Sequence, residues 1–297
     1  METARHDPAH GEEMNHPCEN RIAKLLSTSA PPSVVLVHPI VGAVFHWTSL
    51  LRRPCFSVSA LAITIMLAPA TGYAGPPYVT DDPEPVEFRH WEFYLATQHF
   101  VTRTAVSGTA PHIEVNYGAL PGLQLHVIAP LAYAHPSGGP TFYGVGDIEL
   151  GAKLRFIEES AWRPMVGTFP QVEVPVGSAS KGLGTGRLHV LIPLWLQKSF
   201  GPWTTYGGGG YWLNPGEGNR DFWYVGWLIQ RRLSDLAALG TEVFYTTPDQ
   251  IGGGANLRFN VGVILDLTEH HHLLFSAGRG IAGESVFQGY AAYQLTL

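Results

Sequence analysis

The stretch that most limits what this chain can become is Gly144-Val145-Gly146-Asp147-Ile148-Glu149-Leu150-Gly151-Ala152-Lys153-Leu154-Arg155-Phe156. Side chains along a strand point alternately to its two faces. From Asp147 on, Asp147, Glu149, Gly151, Lys153 and Arg155 therefore share one face, and Ile148, Leu150, Ala152, Leu154 and Phe156 share the other. A soluble sandwich would press the apolar face against a second sheet. A barrel in an outer membrane would turn it to lipid and line its lumen with the ionic face. One strand is compatible with either, and the rest of the chain separates them.

Strand-like runs of the same kind fill the sequence from Trp91 to its last residue, with no sustained helical period. Ile113, Val115 and Tyr117 alternate with His112, Glu114 and Asn116, and Leu123, Leu125 and Val127 alternate with Gln124 and His126. Val172 and Val174 oppose Gln171 and Glu173, while Leu188, Val190, Ile192, Leu194 and Leu196 oppose His189 and Gln197. Leu257, Phe259, Val261, Val263 and Leu265 oppose Arg258, Asn260 and Asp266. The runs predict about twelve strands, joined alternately by Gly-rich loops and tight turns. The tight turns at Leu120–Gly122, Phe200–Pro202 and Arg232–Asp235 all fall at one end of such a meander. That phase predicts an all-β fold, a closed antiparallel up-and-down transmembrane β-barrel over residues 87–297, with short turns toward the periplasm. Closure also explains how so many apolar strands coexist without an aggregating edge.

Composition agrees. Charged residues make up 14% of the 297, against roughly a quarter in ordinary soluble domains, while glycine (34) and aromatic residues (11%) are plentiful. Beyond residue 74 the chain carries 13 Lys and Arg against 19 Asp and Glu, so no cationic footprint for nucleic acid exists. Both cysteines, Cys18 and Cys55, precede residue 75, which excludes a disulfide framework or thiolate metal site in the part that follows.

Residues 1–50 read as a poorly structured extension, in which His6, His10 and His16 are a solvated tail rather than metal ligands. Residues 51–74 read as a secretory signal peptide. Arg52-Arg53 precede the apolar run Phe56 to Ala70, and Thr71-Gly72-Tyr73-Ala74 places cleavage after Ala74, with Ala70 as the second candidate and an uncleaved anchor as the other reading. Residues 75–86 contain four prolines and predict an extended periplasmic lead-in. At the other end Tyr293, Leu295 and Leu297 share one face, as in the terminal strand by which barrel precursors are recognised by the assembly machinery, with Leu297 where an aromatic residue is usual.

Several features are similar to those of the MetA-pathway-of-phenol-degradation family of outer-membrane transporters: Gly144-Val145-Gly146-Asp147 leading to Gly151-Ala152-Lys153-Leu154-Arg155-Phe156, the strand end Pro175-Val176-Gly177, and Ser199-Phe200-Gly201 before a Gly-rich aromatic strand. The resemblance spans most of residues 78–297. It implies a barrel that passes small compounds, aromatic ones among them, and it carries over no catalytic residues and no cofactor.

Parity assigns Glu114, His126, Asp147, Glu149, Lys153, Arg155, Glu173, Arg258 and Asp266 to the lumen, where they either select a solute or brace the barrel as salt-bridged ladders. Trp91, Phe93, Trp195, Trp203, Tyr211, Trp212, Trp223, Trp227 and Tyr293 are expected as interfacial girdles. His270-His271-His272 reads as an exposed polar turn, and no serine stands in a recognisable nucleophile motif. The functional expectation is a non-enzymatic outer-membrane channel or transporter. A surface-interaction barrel with a plugged lumen and a lipid-modifying barrel enzyme are the alternatives.

Overall fold

The structure, a computed structural model, describes residues 76–284 and 286–297. The extension over 1–50 and the signal peptide over 51–74 lie outside the described residues.

Fourteen strand segments follow one another: β1 (Trp91–Val101), β2 (Ala105–Leu120), β3 (Leu123–Pro136), β4 (Phe142–Val145), β5 (Ile148–Ile157), β6 (Met165–Thr168), β7 (Gln171–Val174), β8 (His189–Phe200), β9 (Trp203–Leu213), β10 (Phe222–Arg232), β11 (Ala237–Thr246), β12 (Asn256–Asp266), β13 (His271–Ala282) and β14 (Phe287–Thr296). All pairings are antiparallel, and β1 pairs with β14 from Glu92↔Thr296 to Val101↔Phe287, which leaves no free edge. Segments β4 and β5 both lie along β3, and β6 and β7 both lie between β5 and β8. Each couple is one interrupted stave, so the sheet is a closed barrel of twelve staves, as the strand count and the alternation predict.

The two interruptions have local causes. Phe169-Pro170 separates β6 from β7, and a proline cannot donate into the ladder. Gly146-Asp147 separates β4 from β5, where the expected continuous strand over 144–156 breaks so that Asp147 can reach a neighbouring loop. Only residues 102–104 join β1 to β2, because β2 begins at Ala105 and extends the wall on that side.

Both chain ends of the barrel meet at one rim, where Trp91 and Leu297 exchange two backbone hydrogen bonds of 2.8 Å. The connections at Leu120–Leu123, Phe200–Trp203, Arg232–Ala237 and Asp266–His271 share this short-turn end. The outer surface is an aliphatic band including Leu95, Ile113, Leu125, Leu154, Ile192, Val225, Val243 and Val261, all exposed.

The inside corrects one expectation. The lead-in expected over 75–86 does not lie beneath the barrel. From residue 76 on it crosses the interior, with Pro77 beside Ser276 in the middle of β13, and the chain emerges at the short-turn end, where Arg89 meets Gly118. The prolines do keep the segment out of the sheet. However, Tyr78, Thr80 and Asp82 are buried, and each of them finds a partner on the inner wall.

Candidate functional site

The candidate site is the lumen, whose inner wall grips the lead-in at three places. On the β10–β13 side, Tyr78 donates its hydroxyl to the Gly262 carbonyl at 3.0 Å and Ser276 donates to the Pro77 carbonyl at 2.5 Å. Glu242 accepts the backbone N–H groups of Val79 (2.9 Å) and Thr80 (2.7 Å), and Asn260 orients it with a 2.6 Å hydrogen bond while receiving one from Gln288 at 2.7 Å. The Thr80 and Tyr224 hydroxyls share a 3.1 Å bond. Such close approach requires glycine on the wall. A Cβ at Gly262 would lie 2.7 Å from the Tyr78 ring, and one at Gly240 would lie 2.9 Å from it.

Across the lumen, Lys153 of β5 reaches the middle of the lead-in. Its ammonium lies 2.9 Å from Asp81 Oδ1 and 3.2 Å from Asp82 Oδ2, and 5.0 Å above the Phe169 ring. Lys153 is 4% exposed and Asp82 is wholly buried, so the contact is screened from water. Burial pushes the Asp82 carboxyl well above the usual carboxylate range, with the neighbouring Asp81 charge adding to it. At Asp81 burial acts the same way, but the Lys153 charge and hydrogen bond outweigh it and leave that carboxyl below its usual range. The two acids therefore share one ammonium unequally. Lower down, Gln197 donates to Glu84 at 2.8 Å and Val86 N–H donates to Gln124 at 2.9 Å.

Between these grips, a cavity of about 410 Å³ remains beside the lead-in, bordered by Tyr94, Glu114, His126, Glu149, Lys153 and Phe169. Its wall is a hydrogen-bonded relay. Asn116 donates to Glu114 at 2.9 Å, and His126 meets Asn116 Oδ1 through Nδ1 at 2.6 Å and Glu149 through Nε2 at 2.9 Å.

Sequence parity located much of this wall but not its grouping. Glu114, His126, Glu149 and Lys153 come together, and Glu173 stands opposite Glu149 across the ladder and 3.3 Å from His189. Asp147 belongs to the long-loop end. Its carboxylate accepts the Gly177 N–H (2.9 Å), the Thr185 N–H (2.6 Å) and the Thr185 hydroxyl (2.8 Å), pinning the 175–188 loop with Leu183 tucked against Ala132 and Ala134. Arg155 lies 3.6 Å from Glu158. Asp266 joins Arg232 and His272, each at 2.8 Å, and Arg258 stands apart near the long-loop end of β12.

Two expected girdle aromatics are corrected. Trp195, 2% exposed, packs inside with Phe169, Tyr224 and Phe244, and Trp212 leans on the same cluster. Both follow from parity, since Trp195 shares the face of Gln197 and Trp212 that of Tyr206, and both of those point inward. Trp91, Trp203, Trp223, Trp227 and Tyr293 are exposed on the outer surface. Trp227, however, lies in the middle of β10 and donates its indole N–H to Thr205 at 2.8 Å. His272 is likewise no exposed turn residue, because it is the second residue of β13 and faces inward toward Asp266.

Sequence reasoning missed Glu242 and the place of the lead-in inside the lumen. Glu242 shares parity with Gly240 on an inward face, and the inward glycines Gly226, Gly240 and Gly262 on adjacent strands signal that something approaches the wall there. Among the described residues, no group of three or more His, Cys, Asp or Glu side chains is arranged to hold a metal ion.

A closed barrel with an aliphatic outer band and polar inner wall belongs to the outer-membrane class. No protein-family model matches the chain, and no curated protein matches it. Among solved structures, a COG4313 outer membrane channel from Pseudomonas putida F1 is similar at a TM-score of 0.62 and 17% identity, over 73% of this chain and 98% of that one. The KdgM porin in complex with disordered oligogalacturonate gives 0.49 at 8% identity, over 68% of this chain and 98% of that one. The NanC porin gives 0.49 at 5% identity, over 69% and 100%. At these identities the likeness is one of fold.

Proposed function

We propose that the protein is an outer-membrane channel or transporter for small molecules, hydrophobic or aromatic ones included, whose passage is narrowed by its own residues 76–87. The observation that carries this reading is the cavity of about 410 Å³ left between the lead-in and the wall, in which Tyr94 and Phe169 stand beside Glu114, His126 and Glu149. A barrel serving only as a brace would gain stability by filling that space. The COG4313 neighbour is a channel, and the resemblance to the MetA-pathway-of-phenol-degradation family supports the same class of function. Export with cleavage near Ala74, insertion in the bacterial outer membrane with the short-turn end facing the periplasm, and recognition of the C-terminal strand by the barrel-assembly machinery belong to this reading.

The plugged surface-interaction barrel is the second reading, favoured by the Lys153–Asp81–Asp82 contact across the lumen. Liposome swelling separates the two. Reconstituted protein is expected to admit small aromatic acids or alcohols faster than empty vesicles do, and faster still when residues 76–84 are deleted. Folded protein that admits no small solute in either form would defeat the channel reading. A lipid-modifying reading finds no support in the serine contacts, since Ser199 meets Glu159 and Ser276 meets the Pro77 carbonyl.

A further inference from the structure

The outward face at the short-turn end of β8, β9 and β10 carries two cations amid aromatic and aliphatic side chains. Arg231, on the outer face of β10, stacks its guanidinium 5.2 Å from the Trp203 ring centre, and Lys198 of β8 holds its ammonium 5.2 Å from that of Phe200. The four belong to one patch, because Phe200 pairs with Trp203 across the hairpin and Trp203 pairs with Arg231 across the next ladder. Their charges differ in standing. Lys198 is neutralised by Glu159 at 2.5 Å, whereas Arg231 makes no ion pair or hydrogen bond with a carboxylate among the described residues.

An outward arginine on a barrel costs little only near the membrane interface, and Arg231 is the penultimate residue of its strand at the rim. A guanidinium presents a planar fork of donors that matches a phosphate, and stacking on Trp203 holds the fork in place. On the membrane side of this cation the exposed outer residues are apolar: Ile229, Trp227, Val225, Leu194 and Ile192. A positive head site continuous with an aliphatic wall has the polarity of one molecule class. We propose that this patch binds an anionic glycerophospholipid of the periplasmic leaflet, with Arg231 on the phosphodiester, Trp203 stacked beneath the guanidinium and the acyl chains along β8–β10. The proposal rests on the membrane orientation given above and not on solute passage.

The test is native mass spectrometry of the folded full-length barrel in detergent, titrated with dioleoyl phosphatidylglycerol or dioleoyl phosphatidylcholine. Wild type is expected to retain phosphatidylglycerol at lower lipid concentration than phosphatidylcholine, and Arg231→Gln is expected to raise the concentration required about ten-fold, the loss of one charge-assisted contact. Arg231→Lys keeps charge without the fork and is expected to fall between. Heat-dependent gel mobility verifies folding of each variant, and Trp203→Leu gives a second variant with the same expected direction. Equal retention by wild type and a folded Arg231→Gln, or equal retention of the two lipids by wild type, overturns the site. Swelling assays on the same preparations are expected to be unchanged by Arg231→Gln, so a failed channel reading and a failed lipid site give different results.

Discussion

Replacing Lys153 by alanine probes the contact that ties the lead-in to the wall. The substitution leaves Asp81 and Asp82 facing a site without its ammonium, and one of the two is wholly buried. Removing one partner of a buried ion pair costs about 3–5 kcal/mol, and at about 1.4 kcal/mol per ten-fold this moves the seated-to-released equilibrium of the lead-in by roughly two to three and a half orders of magnitude. What remains holding it is the pair of N–H groups on Glu242, the Gln124 and Gln197 contacts, the Tyr78 hydroxyl, the Thr80–Tyr224 hydroxyl pair and the Ser276 hydroxyl on Pro77, each worth about 1 kcal/mol net. Release therefore becomes frequent without becoming permanent. The assay is maleimide labelling of Pro83→Cys, a fully buried position, in a chain whose Cys18 and Cys55 are serine. Labelling of Lys153→Ala is expected to be at least a hundred-fold faster than that of the Lys153 form. A triple variant, Lys153→Met with Asp81→Asn and Asp82→Asn, removes the charges together and is expected to return most of the protection. Equal labelling rates with and without Lys153, or a triple variant as open as Lys153→Ala, would refute the reasoning.

The two acids should respond differently. Asp81, whose carboxyl is held low, contributes to seating above its unfolded value and loses that contribution as pH falls through its folded one, whereas Asp82, held high, contributes below its unfolded value and loses it as pH rises. Asp81→Asn is thus expected to speed Pro83→Cys labelling at neutral pH, and Asp82→Asn to leave it near the parent rate. Gly262→Val puts a branched side chain where Tyr78 rests and should cost about 1–3 kcal/mol of seating, read by the same labelling. Trp195→Ala should lower barrel stability by about 3–5 kcal/mol in detergent melts, while the outward Trp223→Ala changes it little; equal effects would contradict the inward placement of Trp195. Asp147→Ala should loosen the loop and speed trypsin cleavage of the folded, purified barrel at the exposed Lys181 and Arg187, and a loop that stays resistant would show that the three hydrogen bonds to Asp147 do not pin it.

The legible part of this protein is whatever a single strand encodes by itself. Glu149 and Lys153 turn inward while Leu150 and Leu154 turn outward because the pleat has period two, and a closed sheet gives its two faces two solvents. The same rule, applied without exception, places Trp195, Trp212 and Glu242; reading tryptophans as girdle residues by type rather than by parity is what misplaced the first two. Alternating turns and loops then give the closure and the common rim of Trp91 and Leu297. The proline-rich lead-in is different. Its prolines determine that residues 76–86 do not pair in a sheet, and nothing local to them distinguishes a periplasmic tail from a lumen plug. That outcome depends on groups 38 to 199 positions away, Gln124 for Val86 and Ser276 for Pro77 among them, brought around one axis only when the barrel closes. Sequence by itself determined the walls and their two faces. Only the tertiary structure decided what stands between them, because the Asp81 carboxylate and the wholly buried Asp82 carboxyl are tolerable in the lumen only once Lys153 has been placed opposite them.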